Sequence, residues 1–108
     1  MRVYCDSSAL IKRAIAEPES PGAIAAITGF TNAGDTLLTS SLALVEVSRA
    51  IRSRQENEDP ALWAELTLTA LSGVFEAPID DPTVALARRI GPGVLRSLDA
   101  IHLATAVL

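Results

Sequence analysis

Short apolar runs alternate along this chain with longer stretches of helical periodicity. Arg2 to Asp6 reads as a short strand, with Val3, Tyr4 and Cys5 suited to burial. Ser7 can cap a helix running to about Ala16, which Pro18 ends. Ser20 followed by Pro21 is a helix start, for a helix covering Ala23 to about Phe30; Gly34-Asp35 is then a turn. Thr36 to Thr39 is a second strand. Ser40 or Ser41 caps a longer helix through Arg54, with Leu42, Val45 and Arg49 along one side and Leu44, Val47 and Ile51 along another. Asp59-Pro60 starts a fourth helix, which Gly73 terminates, and Val74 to Ile79 is a third strand. Asp80 or Asp81 with Pro82 opens a fifth helix that Gly91-Pro92 ends, and Ser97 caps the last one. Strands alternating with helices predict an α/β layer architecture on a parallel sheet, with right-handed crossovers.

Composition narrows this picture. The 108 residues, 49% of them hydrophobic, suit one modest domain with a true core. No apolar stretch is long enough to span a bilayer, and the start MRVYCDSS lacks a secretory signal, so no membrane partner and a cytoplasmic location are expected. The single cysteine, Cys5, fits a reducing compartment. Gln55 to Pro60 is a helix–helix connection rather than a domain boundary. A net charge of −4 argues against nucleic-acid binding through the overall field, though bound cations can reverse the sign locally. With 4% aromatic residues, stacking platforms for single strands are poorly supplied.

The chemistry lies among the acids. Of 13 acidic residues, most fall in turns, caps or wet faces. Three are out of place. Asp6 follows the first apolar strand, Glu46 interrupts Leu-Ala-Leu-Val-Glu-Val, and Asp99 interrupts the closing apolar helix near its start. Ligands of open parallel sheets collect beyond the carboxyl ends of the strands, where all three can converge. Converging carboxylates repel one another unless a cation lies between them, and such oxygen donors suit Mg²⁺ or Mn²⁺. Each acid also has an ordinary reading. Asp6 can cap the helix it precedes, Asp99 can be a first-turn acid favoured by the helix dipole, and Glu46 can pair with Arg49 or face solvent. His102, on the same side of its helix as Asp99, invites a metal reading too, but a half-buried, hydrogen-bonded packing residue is the commoner case and the one expected here. Ser7 and Ser8 are helix-start residues first, and one of them can bond to a metal-bound water or a phosphate oxygen. No glycine-rich phosphate loop is present, and the second aspartate of an aspartyl-phosphate phosphatase is replaced by Ser8.

Three segments in order, VYCDSSALIKR, TSSLALVEVSRAIR and LRSLDAIHLATAVL, resemble PIN domains, and more narrowly the VapC-type toxins of toxin–antitoxin pairs. The resemblance implies a three-layer PIN-like fold, a short parallel sheet flanked by helices, occupying residues 1–108 as a single domain. It implies a Mg²⁺- or Mn²⁺-dependent ribonuclease whose catalytic and metal-binding acids are Asp6, Glu46 and Asp99, with Ser8 supporting the site. It also implies an RNA substrate, a cognate antitoxin protein and a homodimer. Such domains continue past the late helix into a strand with a fourth acidic residue and a final helix. Nothing follows Leu108, so the domain is expected to be incomplete at its C-terminus, with the last strand and helix missing. An unpaired sheet edge would favour self-association. The competing expectation is a catalytically impaired PIN fragment that acts as a protein-binding module, holding an antitoxin or another copy of itself.

Overall fold

The computed structural model describes residues 1–93 and 96–108. Leu95, which opens the closing motif, lies outside them. The elements in order are β1 (Arg2–Tyr4), α1 (Ser7–Ile11), α2 (Ser20–Asn32), β2 (Thr36–Ser40), α3 (Ser41–Arg54), α4 (Pro60–Leu71), β3 (Val74–Ala77), α5 (Asp81–Ala87) and α6 (Ser97–Val107). The three strands form one parallel sheet in the order β1-β2-β3, flanked by helices. Arg2 pairs with Thr36 and Tyr4 with Leu38 on one side of β2; Leu37 pairs with Val74 and Ser40 with Ala77 on the other. Among the described residues, no helix is long and apolar enough to cross a membrane.

Being central, β2 is paired along both edges and buries Leu37, Thr39 and Ser40. Successive side chains leave a strand on opposite faces. Leu37 therefore joins the main core with Cys5, Leu10, Ile11, Ile27, Val47, Ile51 and Ala70. Leu38 turns the other way and lines a cleft with Thr83 of α5 and Thr105 of α6. α6 buries Ala100 and Ala104, one turn apart and small enough to let it lie close. On α3 the buried stripe is Ala43, Val47 and Ile51, from the side read as Leu44, Val47 and Ile51, while Val45, on the side of Leu42 and Arg49, is exposed.

Element ends follow cap chemistry. Asp59 caps α4 through Ala61, Ser40 caps α3 through Ala43, and Asp80 caps α5 through both the amide and the hydroxyl of Thr83. Gly73 takes φ 73°, a left-handed turn that carries the chain from α4 into β3. Several boundaries differ from expectation. α1 ends at Ile11 rather than near Ala16. Its continuation tightens into turns, with the amides of Arg13 and Ala14 bonding three residues back, while the Arg13 guanidinium donates to the carbonyls of Ala70 and Ser72 at the C-terminal end of α4. α5 ends at Ala87, before Gly91. α6 has Arg96, not Ser97, at its N-cap position and no side-chain cap bond there.

Candidate active site

Asp6 sits just beyond β1 with extended backbone, φ −78° and ψ 166°. This conformation lets it turn from strand to helix and cap α1. One carboxylate oxygen, Oδ1, accepts the amide of Ala9 and the hydroxyl of Ser8, each at 2.9 Å. The capping role considered for Ser7 thus falls to Asp6, and Ser8 bonds to the acid it was expected to support. Among the described residues, Oδ2 takes no hydrogen bond. Asp6 is exposed, beside a groove lined by Ser8, Lys12, Glu19 and Gly22.

Glu46 neither pairs with Arg49 nor points wholly into solvent. Its Oε1 lies 2.6 Å from Nε2 of His102, and its side chain is 31% exposed. The other ring nitrogen of His102 bonds to the hydroxyl of Tyr4. The two rings meet edge-on, centroids 5.9 Å apart at 69°. Tyr4, His102 and Glu46 therefore form a chain of contacts joining β1, α6 and α3. His102 is half-buried and hydrogen-bonded, as its place in the sequence suggested, but its partner is one of the three anomalous acids. The sequence offered a signal for this chain: it holds one tyrosine, two residues before Asp6, and one histidine, three residues after Asp99.

Asp99 is exposed in the first turn of α6. It lies one turn before His102, so the two share a helix face. Tyr4 and Asp6 are likewise on one side of the extended first segment by alternation. The contacts around His102 thus bring together the three segments that carry Asp6, Glu46 and Asp99. They do not close the acids into a cluster: among the described residues, no three His, Cys, Asp or Glu side chains stand close enough to hold an ion. Asp6 and Glu46 each take protein donors on one oxygen. In donor chemistry the residues do fit such an ion, since Asp6 and Glu46 each keep one oxygen without a protein partner among the described residues.

Beyond Glu46, α3 presents arginines. Arg49, Arg52, Ser53 and Glu56 line an open cleft of about 380 Å³ that begins one turn past the acid. Arg52 is steadied by Trp63, its guanidinium carbon 5.7 Å from the ring centre.

Comparison with known proteins adds an independent line. Residues 3–108 match the PIN domain family model. The chain is 39% identical over 105 residues to a protein of Mycobacterium tuberculosis (strain CDC 1551 / Oshkosh) named Ribonuclease VapC47, covering 96% of this chain and 74% of that one. It is 36% identical over 104 residues to Ribonuclease VapC46 of Mycobacterium tuberculosis (strain ATCC 25618 / H37Rv), covering 96% and 73% respectively. No solved structure gives a significant match.

Proposed function

The chain belongs to the PIN domain family, and on that premise we propose that it is a metal-dependent endoribonuclease, the toxin of a toxin–antitoxin pair, acting in the cytoplasm. The observation that carries this reading is the meeting of the three acid-bearing segments around Glu46. The ribonuclease names of its relatives support the reaction class. Asp6, Glu46 and Asp99 would hold one or two Mg²⁺ or Mn²⁺ ions, with Ser8 steadying Asp6. When bound, such an ion polarises a phosphoryl oxygen and acidifies water for in-line attack on the phosphodiester. The chain's own residues do the rest. Arg49 and Arg52, beside the acid on α3, take up RNA phosphates and set the strand's direction across the site. The Asp6 cap fixes the start of α1, and with it Ser8, at the edge of the sheet.

A second copy of the chain and an antitoxin protein complete the proposal. Leu103 and Val107, exposed one turn apart on α6, supply an apolar stripe for contact between copies. Sedimentation as a monomer at high concentration counts against the dimer.

A second reading has its own observation. Asp6 caps a helix and Glu46 bonds to His102, so both acids already have structural employment. On that reading the chain is a protein-binding module without catalysis. One assay separates the two. The purified chain is incubated with single-stranded RNA in Mg²⁺ or Mn²⁺, with and without chelator, beside Asp99→Asn. The nuclease reading expects cleavage that requires the ion and is lost in the variant. Cleavage indifferent to both, or no cleavage under any condition, refutes it.

A further inference from the structure

We infer that His102, oriented by Tyr4, is a positioning residue that presents Glu46 to a divalent cation; this rests on the metal-dependent reading above. A glutamate side chain is rotamer-rich, and its place on a helix fixes only its origin. Here the Oε1 oxygen is fixed by Nε2 of His102 at 2.6 Å, while Oε2 takes no hydrogen bond among the described residues. The imidazole is the more shielded partner, 16% exposed against 31% for Glu46, so the pair directs the carboxylate outward from a sheltered base. The ring itself is set by the Tyr4 hydroxyl on its other nitrogen and by edge-on packing against the tyrosine.

The polarity of the chain follows from the donors. With a neutral ring, the tyrosine hydroxyl donates to Nδ1, and the proton on Nε2 donates to the carboxylate. Metal ligands are commonly oriented by such outer partners, and losing one typically weakens metal affinity or activity about 10- to 100-fold. The arrangement also links the acids. Tyr4 is in the segment of Asp6, and His102 is one turn from Asp99. A displaced imidazole therefore disturbs the relation of all three.

The test reads Mn²⁺ binding to the protein alone, by electron paramagnetic resonance, without RNA. The parent, His102→Leu, His102→Gln, Tyr4→Phe and Asp6→Asn are compared, and circular dichroism establishes that each is folded. His102→Leu should weaken Mn²⁺ binding about 10- to 100-fold. His102→Gln, which keeps an N–H near the position of Nε2, should recover most of that loss. Tyr4→Phe keeps the ring packing but removes the hydroxyl, and should weaken binding several-fold. Because the chain has one histidine, ¹⁵N-histidine labelling gives a single ring to read; the proton is expected on Nε2. Asp6→Asn weakening Mn²⁺ binding while His102→Leu leaves it unchanged overturns this inference and spares the metal reading. A parent that binds no Mn²⁺ sinks both. Should His102→Leu fail to fold, Tyr4→Phe decides. Unchanged affinity in that variant, or a neutral ring with its proton on Nδ1, overturns the inference.

Discussion

Asp6→Asn and Asp6→Ala, compared side by side, separate two roles carried by one side chain. As the cap of α1, Asp6 accepts the Ala9 amide at 2.9 Å through Oδ1. Asparagine caps about as well as aspartate, whereas alanine at a cap typically costs about 1 kcal/mol. At about 4–8 °C of Tm per kcal/mol for a domain near this size, Asp6→Ala should melt roughly 5 °C below the parent. Asp6→Asn should stay within about 2 °C, losing only a small interaction with the helix dipole. Catalysis should not follow stability. Both variants lose the anionic oxygen proposed to bind the ion, so both should cleave RNA at least about 100-fold more slowly, no less than the loss of an outer partner costs. Calorimetry and a gel-based cleavage assay in Mn²⁺ measure the two effects on the same samples. Asp6→Asn cleaving within a few-fold of the parent would refute the metal role. Asp6→Ala melting with the parent would refute the capping role.

Ile51→Ala, at a fully buried position on α3, should cost about 2–5 kcal/mol, read by urea denaturation; a loss under 1 kcal/mol would mean the core collapses around it. Arg49→Ala and Arg52→Ala should each lower the slope of log binding constant against log salt by about 0.7 on single-stranded RNA; an unchanged slope removes that arginine from the phosphate path. The Cys5 thiol is pushed up by burial, with the Arg13 charge opposing and the Asp6 charge adding. Its contribution to stability is therefore present below the ordinary thiol range and lost as pH rises through the raised value. Iodoacetamide should modify it slowly at pH 8 in the native protein and fast in denaturant, and equal rates would contradict its burial.

Among the described residues, periodicity located the strands and helices, because most carry both an apolar pattern and a chemical start or stop such as Pro60 or Gly73. At α1 the difference comes with a distant partner. Nothing local says that Arg13 will reach the carbonyls of Ala70 and Ser72, 57 and 59 residues away, yet that reach accompanies the early end of α1. The acids were legible as anomalies within apolar runs, but their partners were not. Arg49 is the natural partner of Glu46 by helical spacing, and the fold supplies His102 instead, 56 residues on. Sheet order was equally hidden, since a parallel strand shows only that it is buried, not which neighbours bury it.

The fully buried side chains of α6, among those described, are Ala100, Ala104 and Thr105, smaller than the Val47 and Ile51 of α3. Local opening of such a terminal helix falls well short of global unfolding. Since Asp99 and His102 ride on that one helix, each such excursion strips Glu46 of its partner and removes an acid in a single stroke. Amide hydrogen exchange should find α6 opening sooner than α3, and a ligand gripping both helices should slow it.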